Sequence, residues 1–197
     1  MNRHFDVHFQ KEIVTIHPGE FFSTREDVYI ATVLGSCVSI ALFDQKQHFG
    51  GLNHFMLPKA GVNRTVTQDD EGRFGDYAIE LLINEMLKMG ANHSDLRAKV
   101  FGGANVLNTG SGKLNMTGIN NANFALQYLA TEKIPVLVND TGGIVPRKIF
   151  FHPLTSKVYL KRIQATGADV ETIKAREEEY ERNLQQAKAA AGDITWF

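Results

Sequence analysis

The chain has 197 residues, of which 43% are hydrophobic, and 21 basic residues nearly balance 22 acidic ones for a net charge of −1. A chain of this composition can form a buried core without disulfides or metal. Its balanced charge gives no indication that it binds nucleic acid, which usually requires an excess of basic residues. The most apolar stretch, residues 29–43, is interrupted by polar residues and is shorter than the roughly 20 residues of a membrane-spanning helix. The N-terminus lacks the apolar core of a secretory signal. We therefore expect a cytoplasmic protein without direct membrane insertion.

The first half of the chain predicts a series of short strands. Residues 1–11 are polar, and we expect them to be frayed; His4 and His8 alone make a poor metal site. The first predicted strand ends at the turn pair Pro18-Gly19, and the second breaks at Gly35-Ser36. The predicted strands of this half are residues 14–16, 28–34, 37–43 and 49–57.

The last two of these strands predict a hairpin. A short loop joins residues 37–43 to residues 49–57, which favours antiparallel pairing. With the turn centred near residues 45–46, Cys37 lies roughly opposite His54, within a slip of a residue or two. The sequence therefore brings its only cysteine close to a histidine.

The second half predicts two main helices between further strands. Residues 60–72 are rich in glycine and acidic residues, which is typical of an exposed loop. An apolar stripe with helical period runs through residues 74–89 and ends at Gly90, and a second helix is predicted over about 120–130. The strands predicted here are residues 98–101, 135–139, 148–152 and 158–162.

The chain changes character after residue 166. It becomes charged and rich in alanine, with a thin apolar stripe that indicates a solvated surface helix ending near Ala191. The tail ends in Trp196-Phe197, which we expect to dock on the core or on a partner. We therefore divide the chain into a domain over 1–166 and a C-terminal helix and tail over 167–197.

Three short motifs suggest chemistry that their details do not support. Asp140-Thr141-Gly142 resembles an aspartic protease turn, but that reaction needs two such carboxylates and the chain has one copy. The run through Gly110-Ser111-Gly112 lacks the first glycine and the final Ser or Thr of a phosphate loop. Gly102-Gly103 lacks dinucleotide-binding spacing, and a tight turn or close backbone approach explains it equally well.

Cys37 is the only cysteine of the chain. It could be buried filler, a redox-sensitive thiol or a catalytic nucleophile, and a reversible redox sensor would need a resolving thiol that the chain lacks. His54 could draw off the thiol proton, and the break at Gly35-Ser36 could aim N–H groups at an oxyanion. From these residues alone, a structural cysteine and a nucleophile both remain open.

Ordered motifs run through about residues 14–163. They are Pro18-Gly19-Glu20, Leu34-Gly35-Ser36-Cys37-Val38, Gly51-x-x-His54-x-x-Leu57-Pro58, Asp76-Tyr77-Ala78, Lys99-Val100-Phe101-Gly102-Gly103-Ala104, Gly118 with Asn121, Asp140-Thr141-Gly142-Gly143, and Arg147. Together they resemble the signature of CheD, the chemoreceptor glutamine deamidases.

This resemblance implies an α/β (α+β) fold in which two main helices pack on layered β-sheet, related to the catalytic domain of cytotoxic necrotizing factor toxins. It implies hydrolysis of selected glutamines on methyl-accepting chemotaxis receptors to glutamate and ammonia. Cys37 would be the nucleophile of a thioester mechanism, His54 the base, and Gly35 and Ser36 would support the oxyanion. No metal or organic cofactor is implied, and a CheC-type phosphatase is a further partner.

The third member of the family's triad is a threonine, and its position is held here by Ala31. Thr32 is our candidate to orient His54, although strand alternation points it away from the face of Ala31 unless a bulge intervenes. Asn120 also stands where many members carry arginine. The leading prediction is a deamidase; the alternative is a weakly active or non-catalytic adaptor that binds receptors or the CheC phosphatase.

Overall fold

The computed structural model describes residues 1–57, 68–105, 116–163 and, in the C-terminal segment, residues 171–173, 175–180, 182 and 186. Within these residues, ten strands form two five-stranded sheets, and two main α-helices, a single 3₁₀ turn and a partly described helical C-terminal segment complete the fold. The predicted layered β-sheet core with two main helices is confirmed. The relation to the toxin domain stays a prediction.

The first sheet has the strand order β1-β2-β4-β9-β10. Strands β2 and β4 are parallel, and the other pairs are antiparallel. Its strands are β1 (Asn2–Asp6), β2 (Lys11–Thr15), β4 (Tyr29–Leu34), β9 (Arg147–His152) and β10 (Lys157–Arg162).

The expectation of a frayed N-terminus was wrong. Strand β1 pairs with β2 from Asn2 to Asp6, and the Asp6 carboxylate accepts hydrogen bonds from the backbone N–H groups of His8 and Phe9 at 2.8 and 3.0 Å. The Phe9 ring then packs on Tyr29, with ring centroids 4.5 Å apart. A polar edge strand of this kind lacks the apolar alternation that marks a strand in a sequence, so only its turn and its partner define it.

The second sheet has the order β3-β6-β5-β7-β8, with β7 and β8 parallel and the other pairs antiparallel. The sequence did not predict β3. The strands are β3 (Phe21–Thr24), β5 (Val38–Asp44), β6 (Phe49–Asn53), β7 (Leu96–Gly102) and β8 (Val136–Thr141). Strands β5 and β6 form the predicted antiparallel hairpin.

Both α-helices pack on one face of the second sheet, and the first sheet covers the other face. Helix α1 (Gln68–Lys88) begins inside the segment expected to be a loop, whose residues 60–67 lie outside the described part of the chain. Helix α2 (Thr117–Thr131) lies close to its predicted position. The core on the helix side includes Ile40, Leu42, Ile79, Leu82, Ala125 and Leu129. The core between the sheets includes Ile30, Leu34, Cys37, Phe43, Leu52 and Phe151.

The C-terminal segment is helical where it is described, over residues 171–173 and 175–180. The prediction that this helix is solvated was wrong in part, because Glu177 is buried and Tyr180 packs against the core between the sheets. The tail with Trp196-Phe197 and the loop around Gly110-Ser111-Gly112 lie outside the described residues. The division at residue 166 remains a prediction.

The chain crosses from the first sheet to the second at Gly35-Ser36, and the end of β7 supports this crossing. Gly102 adopts a φ of +109°, and a side chain there would overlap the carbonyl oxygen of Cys37. Gly103 also has a positive φ, and its N–H donates to that same carbonyl oxygen at 2.7 Å. The close backbone approach expected at Gly102-Gly103 is confirmed.

We expect Gly102→Ala to lower the free energy of unfolding by at least about 2 kcal/mol more than Gly142→Ala does. Both glycines have positive φ, but nothing lies within 4 Å of a Cβ at Gly142. The control therefore carries the backbone strain without the clash. Urea unfolding measures both values, and equal losses would contradict the close-approach explanation.

Candidate functional site

Three predicted site residues lie in the space between the two sheets. Cys37 precedes β5, His54 follows β6, and Thr32 lies in β4 of the opposite sheet. All three are buried, with exposures of 0%, 3% and 1%. The site is therefore made of side chains from both sheets.

Three hydrogen bonds hold the backbone carbonyls of residues 35–37. Besides the Gly103 bond, the Ala104 N–H donates to the Gly35 carbonyl at 2.7 Å. The buried Asn121 side chain of α2 donates to the Ser36 carbonyl at 2.8 Å and accepts from the Leu57 N–H at 3.0 Å. These bonds fix the crossing that presents Cys37. Asn121 was part of the family resemblance, but we predicted no physical role for it.

His54 is fixed through its backbone as well. Its N–H donates to the Glu20 carbonyl at 2.9 Å, and its carbonyl accepts from the Gly19 N–H at 2.8 Å. The next residue, Phe55, forms an antiparallel β-bridge with Val38. The register is therefore shifted from the predicted one, so that Cys37 stands in the row of Met56 and His54 occupies a diagonal position. Diagonal neighbours are about 7–8 Å apart in a sheet, which an imidazole can span.

Thr32 connects the opposite sheet to the imidazole. Its Oγ1 lies 2.7 Å from His54 Nδ1 and donates its proton to the Ile16 carbonyl at 2.9 Å. A hydroxyl has only one proton to donate, so Oγ1 accepts from Nδ1–H. The lone pair of the ring therefore resides on Nε2, the nitrogen needed for a base.

Strand alternation places Thr32 on the face opposite Ala31, as expected without a bulge, and this is the face that borders the site. Ala31 belongs to the cluster on the outer face of the first sheet with Ile13 and Tyr29. Thr32 instead points into the space that Cys37 faces. Side chains alternate between faces along one strand, but β4 and β5 lie in different sheets. The alternation therefore cannot be counted from Thr32 to Cys37 across the crossing.

Burial lowers the pKa of His54 to about 3, with a smaller contribution from His17. The imidazole is therefore neutral near pH 7. Its Nε2 is buried and finds no hydrogen-bond partner among the described residues. A neutral, oriented imidazole with an unused lone pair is suited to accept a proton.

A carboxylate that the sequence did not single out also occupies the site. Glu177 Oε2 accepts from the Ser36 hydroxyl at 2.6 Å, and Oε1 accepts from the Cys37 N–H at 3.2 Å. Tyr180 lies nearby, and its pKa is raised to about 12, mainly by burial and to a smaller extent by the charge of Cys37. No local signal marks Glu177 within a run of charged residues, because its role depends on contacts with residues far away in the chain.

The other motifs have structural explanations. The Asp140 carboxylate forms ion pairs with the buried Arg147 at 2.6 Å and with Arg162 at 2.9 Å, so it is not one of two carboxylates that share a proton.

Across the described residues, no group of three or more His, Cys, Asp or Glu side chains is placed to hold a metal ion. No helix in the described ranges combines the length and apolar character needed to cross a membrane.

The chain is similar to a family of known proteins. A family model described as CheD chemotactic sensory transduction matches residues 56–162. A Shewanella oneidensis protein named "probable chemoreceptor glutamine deamidase CheD 1" is 44% identical over 100% of this chain and 93% of its own length. A protein of the same name from Albidiferax ferrireducens is 46% identical over 87% of this chain and 70% of its own. A Methylobacillus flagellatus "probable chemoreceptor glutamine deamidase CheD" is 42% identical over 100% and 95%.

The neutral buried His54 should make stability depend on pH. Between about pH 6.5 and 3 the unfolded chain binds a proton on this residue that the folded chain does not, so stability falls as the pH is lowered through that window. We expect about 2 kcal/mol of this loss between pH 7 and 5, and its absence in His54→Gln. Urea unfolding of both proteins at the two pH values measures the difference. Equal losses in both proteins would contradict the assigned burial effect.

Proposed function

The chain belongs to the CheD family, and from this premise we propose that it hydrolyses glutamine side chains of methyl-accepting chemotaxis receptors to glutamate in the cytoplasm. Cys37 is the nucleophile, His54 the general base and acid, and Thr32 the residue that orients His54. The observation that carries the proposal is the hydrogen-bonded series from the Ile16 carbonyl through Thr32 to His54 Nδ1. It leaves Nε2 as the basic nitrogen on the face that Cys37 shares.

The first half of the reaction is acyl transfer. His54 Nε2 takes the thiol proton as Cys37 Sγ bonds to the carboxamide carbon. The Cys37 N–H, which already donates to an anionic oxygen in the structure, stabilises the oxygen of the tetrahedral intermediate, and Ser36 supports it. His54 then gives the proton to the leaving nitrogen, so that the C–N bond breaks and ammonia departs from a thioester.

The second half returns the enzyme to its starting state. His54 takes a proton from a water molecule as the water oxygen attacks the thioester carbon. The C–S bond then breaks, and His54 passes the proton to the sulfur. The products are a glutamate side chain and free thiol. Because burial disfavours a resting imidazolium, proton transfer accompanies attack instead of preceding it as a stable ion pair. No step in this route requires a metal or an organic cofactor.

Binding of a CheC-type phosphatase remains a prediction from the resemblance. The adaptor alternative gave weight to the missing threonine at Ala31. The contact between Thr32 and His54 supports an intact orienting group and so favours the enzyme.

We expect the wild-type chain to convert receptor glutamines to glutamate and Cys37→Ala to leave them unchanged, because the variant lacks the nucleophile. Incubation with a purified receptor cytoplasmic fragment, followed by peptide mass spectrometry, detects the increase of about 1 Da per site. A Cys37→Ala variant as active as the wild type would overturn the proposed chemistry, as would a wild type without activity on receptors.

Replacing Thr32 separates orientation from packing. Thr32→Val keeps the shape of the side chain but removes the acceptor for Nδ1–H, and we expect kcat to fall about 10- to 100-fold. Thr32→Ser keeps the hydroxyl and should recover most of the activity. The two kcat values on the same receptor fragment provide the test. If serine rescues no better than valine, Thr32 does not act through its hydroxyl.

A further inference from the structure

The C-terminal helical segment reaches into the proposed active site from outside the core domain. Over residues 175–180 it presents two inward side chains, Glu177 and Tyr180, whereas Glu178 and Glu179 are exposed. Glu177 is only 8% exposed, which is rare for a carboxylate without strong partners. Its partners are the Ser36 hydroxyl and the Cys37 N–H.

Tyr180 anchors the same helical segment one turn later. Its ring lies over Gly19, where a Cβ would come within 2.8 Å of the ring edge. Gly19 also donates its N–H to the His54 carbonyl. The segment therefore rests on both sides of the site, through Glu177 at Cys37 and through Tyr180 at the turn that holds His54.

The chemistry of the Glu177 contact matches the proposed reaction. A glutamate side chain is the product of glutamine deamidation, and its carboxylate here accepts from the groups that would bind the oxygen of the substrate. The carboxylate makes two hydrogen bonds to neutral donors, which are stronger than those a neutral carboxamide would make. A receptor side chain cannot use the Cys37 N–H while Glu177 holds it.

We propose, on the basis of the proposed function, that the C-terminal segment is an internal product mimic that occludes Cys37 and must be displaced before a receptor glutamine binds. The apparent affinity for receptor is then reduced by the fraction of molecules in which the segment is released. Released and docked states share the same catalytic groups, so the occlusion acts on KM and leaves kcat unchanged.

A positioning role for Glu177 predicts the opposite pattern. If the carboxylate served to hold Cys37 in its reactive orientation, its removal would lower kcat and would not increase access to the thiol. The two roles are therefore separable by KM, by kcat and by the reactivity of Cys37. Because Cys37 is the only cysteine of the chain, thiol labelling reports on this position alone.

The test compares full-length wild type, Glu177→Ala, Tyr180→Ala and the control Glu179→Ala. Glu179 lies on the same segment and carries the same charge, but it is exposed. Each protein is labelled with iodoacetamide, and its KM and kcat are measured on the receptor fragment. We expect Glu177→Ala to raise the labelling rate and lower KM by at least about tenfold with unchanged kcat, since it loses two charge-assisted bonds. Tyr180→Ala should shift both in the same direction, and Glu179→Ala should match the wild type.

Unchanged labelling in both Glu177→Ala and Tyr180→Ala, or a lower kcat without a lower KM in Glu177→Ala, overturns the proposal. Thermal unfolding shows whether each variant is folded; if Glu177→Ala is not, Tyr180→Ala carries the comparison. If labelling rises in both variants but no protein deamidates a receptor glutamine, the proposed function fails while the occlusion of Cys37 stands.

Discussion

The hydrogen bond between Thr32 and His54 joins the two sheets at the site, and the arrangement of the site depends on it. It spans 2.7 Å between a strand of one sheet and the end of a strand of the other. Because the Thr32 proton is committed to the Ile16 carbonyl, the bond fixes the tautomer as well as the position of the ring. The sheets must therefore pack at one spacing and one register for the proposed base to be formed, which makes the core between them part of the proposed catalytic apparatus.

Burial gives this site its electrostatic character. A desolvated imidazole is held neutral, and a neutral base in a dry space can accept a proton without first losing one to water. The same burial has a cost in stability at low pH, because the unfolded chain can protonate His54 and the folded chain resists it. The proposed role of His54 as a base and the expected loss of stability in acid thus have one physical cause.

The C-terminal segment covers Ser36 and Cys37. Glu177 satisfies the Ser36 hydroxyl and the Cys37 N–H, which would otherwise need water or substrate as a partner. A product-like carboxylate is well suited to that role, since it fits the same donors and is inert to attack. In the proposed arrangement Cys37 is protected by its own chain, and a receptor gains access by competing with a tethered ligand of high effective concentration.

The sequence by itself determined the hairpin that carries Cys37 and His54, both main helices and most strands, because local periodicity and turn residues encode these features. It could not place Thr32, whose face depends on the crossing between sheets at Gly35-Ser36, nor recognise β1, whose polar residues are defined by their partner strand. Glu177 is one of several glutamates in its segment, and nothing nearby distinguishes it from Glu179. The tertiary structure decided these points, because each rests on a contact between residues far apart in the chain, and local sequence carries no record of such a contact.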